Sequence, residues 1–245
     1  PLLVAAGPHR LSLEGNGLAL QAQLEVRPGR LLDVRFDRDS GAVAVSQPPA
    51  ALVALNFTGA ADTAIPELRL ALTQAMDEER LLRFDPSSVP SEKPESSCGS
   101  QPGCLHEMAA RNGVPYVLSV DIKASSANGS DWKLGGQLLD TAIGDAASTQ
   151  EKDCAGCTVA QAGERLSQLV RNLVAQGMAR PRGRLEIQST PTGATVELNG
   201  KVIGQTPLSR PVWAGSAELT VKRLGYLPDR QRIVVQDGRA TEFAS

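Results

Sequence analysis

Residues 183–208 read Gly-Arg-Leu-Glu-Ile-Gln-Ser-Thr-Pro-Thr-Gly-Ala-Thr-Val-Glu-Leu-Asn-Gly-Lys-Val-Ile-Gly-Gln-Thr-Pro-Leu. Apolar side chains alternate at Leu185 and Ile187 and again at Val196 and Leu198, with Pro191, Thr192 and Gly193 between the two runs. Alternation of period two broken by proline and glycine predicts a half-buried strand, a turn and a second strand. Asn199-Gly200 offers the positive backbone angles of a tight hairpin, and Gly204 with Pro207 closes a further short strand. The stretch builds structure; nothing in it points to chemistry.

The ordered positions Pro191-x-Gly193-Ala194-x-Val196, Asn199-Gly200, Gly204-x-Thr206-Pro207-Leu208, Ala214-Gly215 and Gly225-Tyr226 resemble the PEGA domain, a small β-sandwich module of bacterial envelope and surface proteins. The signature tetrapeptide reads Pro-Thr-Gly-Ala here, with Thr192 where the family has a glutamate that points outward in the turn. The resemblance spans residues 183–245. It implies adhesion, scaffolding or presentation at the cell envelope, and no reaction.

The opening of the chain repeats part of this pattern. Ala6-Gly7, Leu11, Leu13 and Gly17 have the spacing of Ala214-Gly215, Leu219, Val221 and Gly225; Val26, Gly29 and Arg30 follow Val235, Gly238 and Arg239 at an offset larger by one. Matches on structural glycines and alternating apolar positions make residues 1–47 a partial PEGA-like module. Strands are expected near His9–Glu14, Leu18–Val26 and Leu31–Phe36, in a sheet with an unpaired edge. Arg38–Gly41 is expected to turn, residues 42–45 to add a short strand, and Gln47-Pro48-Pro49 to link onward. Pro1 is neither Met nor part of a signal region, so an upstream segment is expected to have been removed.

Residues 50–179 change character. Ala51–Phe57 is a nearly continuous apolar run, as in a strand buried on both faces. Asp62 or Thr63 is placed to cap a helix with a stripe of Ile65, Leu68, Leu72 and Met76, Pro66 being tolerated in its first turn. A short strand at Leu81–Phe84 precedes a Ser/Pro/Glu-rich loop, Pro86–Pro102, and a helix at Leu105–Asn112 ending at Gly113. Strands follow at Pro115–Lys123, Trp132–Asp140 and Ala146–Lys152. A capping box, Thr158 with Gln161, opens the last helix, which Gln176-Gly177 is expected to end.

The order β-α-β-α-β-β-β-α, with Ala109-x-x-x-Gly113-Val114-x-Tyr116-Val117-Leu118 and Asp140-x-x-x-Gly144, resembles the α/β domain of the curli-secretion lipoprotein (CsgG) and of the N-terminal part of TolB. That resemblance implies an envelope-associated, non-catalytic domain making protein contacts. The fold class expected is therefore α+β multidomain: a central mixed α/β sheet domain with three helices, flanked by small β-sandwich modules.

Composition limits the function. A chain of 245 residues with 41% apolar content, mean hydropathy −0.16 and only 3% aromatic residues builds aliphatic cores. A net charge of −2 and a pI near 5.8, with no long run of Lys or Arg, lack the electrostatic footprint of nucleic-acid binding. No apolar window is long enough for a helical membrane span.

Four cysteines fall in two close pairs, Cys98 with Cys104 and Cys154 with Cys157. Such pairs read as disulfides in an oxidising compartment, as a four-thiolate zinc site, or as free or redox-active thiols. Five residues between Cys98 and Cys104 suit zinc poorly. Disulfides are the favoured reading, and Cys154-Ala-Gly-Cys157 ahead of a helix keeps thiol-disulfide exchange as the alternative. His9 and His106 lack triad partners at a recognised spacing. Asp121 and Asp140 are read as solvated strand residues, and Trp132 and Trp213 as partly buried packing residues with interface anchoring as the alternative. No cofactor or metal is expected. The function expected is that of a non-catalytic scaffold or binding component in the periplasm or outer cell envelope, meeting other envelope proteins, peptidoglycan or another glycan within a larger assembly.

Overall fold

A computed structural model describes residues 7–15, 18–26, 33–37, 40–46, 49–84, 101–124 and 130–245. The chain divides into two compact units, residues 1–141 with 148–175, and residues 142–147 with 176–245. The architecture is α+β, with three helices and five sheets among the described residues, two of the sheets mixed.

In the first unit, β1 (Gly7–Gly15) and β2 (Leu18–Val26) form an antiparallel pair that starts at Gly7 opposite Val26. β3 (Asp33–Phe36) does not extend that sheet: it pairs antiparallel with β4 (Val43–Ser46). The cause is local. Asp37 Oδ1 accepts the Ser40 N–H at 3.0 Å, the Asp37 N–H reaches the Ala42 carbonyl at 2.8 Å, and Gly41 takes φ 66°, which folds the segment back on itself. Leu31 and Leu32 lie outside the described residues.

The sheet that follows has the order β6-β5-β7-β8-β9. β5 (Ala50–Thr58) runs parallel to both β6 (Leu82–Phe84) and β7 (Tyr116–Ala124), and β7 runs antiparallel to β8 (Trp132–Asp140). β9 (Asp145–Cys154) lies beside β8. Burial in β5 covers both faces only in its first half, because Asn56 and Thr58 are exposed.

Helix α1 (Ile65–Glu78) buries Leu68, Leu72, Ala75 and Met76, in keeping with the apolar stripe. Its start differs from expectation. Ala64 is the N-cap, with no side-chain cap hydrogen bond; Pro66 in the first turn replaces the capping signal from Asp62 or Thr63. Helix α2 (Pro102–Arg111) begins at a proline the sequence places in a loop, and ends where Gly113 adopts φ 61°. Its Leu105, Met108 and Ala109 pack with Leu52, Ala54 and Val117.

Helix α3 (Val159–Ala179) runs past Gly177, which is buried inside it. Pro181 is the terminator, since the residue before a proline is pushed out of the helical region. The stripe Ala162, Leu166, Leu169, Val170, Leu173 and Val174 is buried. It lies over β8 at Gly136, where a Cβ would stand 2.7 Å from Leu173 Cδ1 and 3.0 Å from Leu169 Cδ2. Gly136 is opposite Val120 in the ladder, so α3 covers the face carrying Leu118, Val120 and Ile122, while α2 covers the face carrying Val117. Helix α1 packs beside α3: Ser167 Oγ donates to the Ala71 carbonyl at 3.1 Å, and Arg171 pairs with Glu78 at 2.5 Å.

The second unit holds a sandwich of two sheets, ordered β13-β10-β16 and β12-β11-β14-β15. Its strands are β10 (Arg182–Gln188), β11 (Thr195–Leu198), β12 (Lys201–Gln205), β13 (Leu208–Trp213), β14 (Gly215–Lys222), β15 (Asp229–Val235) and β16 (Ala240–Ala244). The alternating residues meet in one core: Leu185, Ile187, Ala194, Val196, Val212, Leu219, Val221 and Val235. Each buried Leu, Ile or Val side chain contributes about 1.5–3 kcal/mol. The hairpin β11–β12 turns on Asn199 at φ 51° and Gly200 at φ 79°, as the Asn-Gly signal predicts. At Gly183 a Cβ would collide with the Gln236 carbonyl and Val235 Cγ1, so only glycine fits there.

Candidate functional site

Two places gather side chains of chemical interest. The first is the end of β9. Cys154 and Cys157 form a disulfide across two intervening residues, directly before α3. Cys154 is buried at 5% exposure. Three hydrogen bonds fasten the bridge to the start of β8. The Cys157 N–H donates to the Ser130 carbonyl at 2.7 Å, the Gly156 N–H to Asp131 Oδ1 at 2.8 Å, and Trp132 Nε1 to the Cys157 carbonyl at 3.3 Å. The expected capping box closes the assembly: Gln161 N–H donates to Thr158 Oγ1 at 3.3 Å, and Thr158 N–H to Gln161 Oε1 at 2.9 Å.

Trp132 is 2% exposed, more deeply packed than its position near a turn suggests. Cys104 is also disulfide-bonded. Cys98 lies outside the described residues, as does the loop around it.

The remaining candidates are not brought together. His106 Nε2 donates to the Thr141 carbonyl at 3.0 Å and so ties α2 to the end of β8. His9 sits in β1 opposite Leu24. Asp121 accepts a 3.1 Å hydrogen bond from Asn56 Nδ2. Asp140 corrects the reading of a solvated carboxylate, being 2% exposed. It faces Tyr116, five residues along β7 from Asp121, a separation of roughly 16 Å at the rise of a strand. The two carboxylates therefore form no acid/base pair. Among the described residues no group of three or more His, Cys, Asp or Glu is arranged to hold a metal ion.

The second place is a cavity of about 530 Å³ in the second unit. Three cations line it, Arg180, Lys201 and Arg210, with one carboxylate, Asp145. Main-chain oxygens hold the cations in place. Arg180 Nη1 donates to the Ala146 and Ala147 carbonyls at 2.7 and 3.3 Å, and Lys201 Nζ to the Gly144 carbonyl at 3.2 Å. Arg210 reaches the Ile203 carbonyl through Nη1 and the Ile143 carbonyl through Nη2, both at 2.7 Å. The Arg180 guanidinium also lies over the Trp213 ring, 4.3 Å from its centroid. Trp213 Nε1 and Arg210 Nε are buried without a hydrogen-bond partner. Of these residues sequence reasoning picked out only Trp213. The cations come from separate segments, and no spacing rule links them.

Residues 182–245 match the family model of the PEGA domain, which bears out the C-terminal resemblance. The comparison with curated proteins finds no match. Among solved structures, the chain is similar to the PelC dodecamer from Paraburkholderia phytofirmans, at 13% identity and TM-score 0.34, over 54% of this chain and 89% of that one. It is similar to TolB from Acinetobacter baumannii at 14% identity and TM-score 0.34, over 84% of this chain but only 41% of TolB. A third is the C-terminal domain of LpoB from Escherichia coli, at 17% identity and TM-score 0.34, over 47% and 88% of the two chains. These likenesses are loose, and nothing about function follows from them.

Proposed function

We propose that this chain is a non-catalytic component of a bacterial cell envelope, a scaffold or binding protein of the periplasm or outer envelope. In this reading a PEGA-like module at residues 183–245 and a partial copy at residues 1–47 flank an α/β domain at residues 50–179 of the kind found in the curli-secretion lipoprotein and N-terminal TolB. The observation that carries it is the PEGA match over residues 182–245, a module whose family implies contact at the envelope. The disulfide at Cys154–Cys157 supports an oxidising compartment.

Local geometry supports the N-terminal copy. Gly7 opens β1 at φ 127° opposite Val26, and Gly215 opens β14 at φ 129° opposite Val235. Gly7 and Val26, two of the residues matched by sequence spacing, thus pair as Gly215 and Val235 do. The partners that fit the reading are other envelope proteins, peptidoglycan or another glycan. Crosslinking in intact cells, followed by fractionation, tests it: the protein is expected in the envelope fraction, joined to partners of that compartment. Recovery from the cytosol would overturn it.

One observation favours a second reading, a thiol-disulfide oxidoreductase. The Cys154–Cys157 bridge stands immediately before the N-terminus of α3, where a helix favours a thiolate. Against it, Cys154 ends an edge strand and the bridge is fastened by Trp132, Asp131 and Ser130. An insulin-reduction assay separates the two, since a scaffold is silent in it.

A further inference from the structure

We infer that the cavity of the second unit is a binding site for a phosphate group, presented by a phosphomonoester-bearing ligand. This inference stands on the cavity alone, independent of the envelope reading. Arg180, Lys201 and Arg210 make no ion pair among the described residues; their partners are neutral carbonyl oxygens. The carbonyls orient the side chains without neutralising their charge. The Asp145 carboxylate accepts the N–H of Ala146 at 3.0 Å, and among the described residues it too has no cationic partner.

Three positive charges and one negative leave the cavity with a surplus of two. A phosphomonoester carries about −1.5 to −2 charges at neutral pH, so it balances that surplus where a single carboxylate leaves an excess. Donor supply points the same way. Arg180 engages only its Nη1 nitrogen and Lys201 donates to a single carbonyl, so both keep N–H groups to offer an anion. Guanidinium groups match phosphate oxygens by paired N–H donation. The volume, about 530 Å³, is that of a small-molecule site. Ile203 and Val202 on its wall offer apolar contact to the body carrying the phosphate.

The full chain is titrated with inorganic phosphate and with glucose 1-phosphate at fixed ionic strength, by calorimetry and by tryptophan fluorescence, to which Trp132 and Trp213 both contribute. A saturable response is expected. Lys201 is exposed, so Lys201→Gln leaves the fold intact and weakens binding about fivefold; Asp145→Asn keeps the acceptor for Ala146 and tightens binding about fivefold. Vesicles with phosphatidic acid in phosphatidylcholine form the second arm, against phosphatidylcholine alone. Binding to these vesicles that is lost in Lys201→Gln, with no response to soluble phosphates, supports the site and identifies a lipid headgroup as the source. No saturable response in either arm, or a response that neither substitution moves, overturns the inference.

Discussion

Thr206 and Ala194 clasp one another twice: Thr206 Oγ1 accepts the Ala194 N–H at 3.0 Å, and the Thr206 N–H donates to the Ala194 carbonyl at 2.9 Å. Ser189 Oγ stands 2.6 Å from the same hydroxyl, and Thr206 is 4% exposed. This threonine of the Gly204-x-Thr206-Pro207 signature therefore staples the strand after the Asn-Gly hairpin to the segment entering β11. Thr206→Val keeps the shape and leaves the buried Ala194 N–H without an acceptor, which costs about 1–3 kcal/mol. Thr206→Ser should recover most of the loss. Urea midpoints of the three proteins measure both effects.

Adjacent glycines in β8 are predicted to behave in opposite ways. A Cβ at Gly135 meets nothing within 4 Å, whereas one at Gly136 runs into Leu173 and Leu169 and stands 3.3 Å from the Ser119 carbonyl. Gly136→Ala forces α3 away from the sheet and should cost about 1–3 kcal/mol. Gly135→Ala is expected to be neutral or stabilising by a few tenths of a kcal/mol, through lower unfolded-state entropy. Equal losses in thermal unfolding of the two variants would contradict the packing of α3 on β8.

The cysteine bridge at the end of β9 is expected to act through stability. Replacing both Cys154 and Cys157 by Ala opens a very small loop, worth roughly 2 kcal/mol on the chain-entropy model. Thr158→Ala removes the reciprocal cap of α3 and should cost about 1 kcal/mol. Because Cys157, Thr158 and the start of α3 share one network, the two losses should not add fully when combined. Denaturant unfolding of the single and combined variants shows the coupling, and fully additive losses would argue that bridge and cap are separate devices.

What the sequence made legible were features set by neighbouring residues. The Thr158–Gln161 box and the Asn199-Gly200 turn both depend on groups a few positions apart. Features set by competition between signals were read less well. Gly177 signals a helix end, yet Pro181 decides where α3 stops; Pro102 signals a loop, yet it opens α2. Strand alternation predicts a solvated Asp140, and its burial follows from its place at the end of β8 opposite Tyr116. Least visible was the cation cluster. Arg180, Lys201 and Arg210 follow no sequence period, and only the fold of the second unit collects them around one cavity.

The central claim, a non-catalytic component of an oxidising envelope compartment, is tested most directly by counting thiols in protein taken from fractionated cells. Native material is alkylated before and after reduction and the modified cysteines are located by mass spectrometry. The account predicts recovery in the envelope fraction, with Cys98, Cys104, Cys154 and Cys157 labelled only after reduction. Labelling of these cysteines in unreduced material, or recovery of the protein from the cytosol, would contradict it.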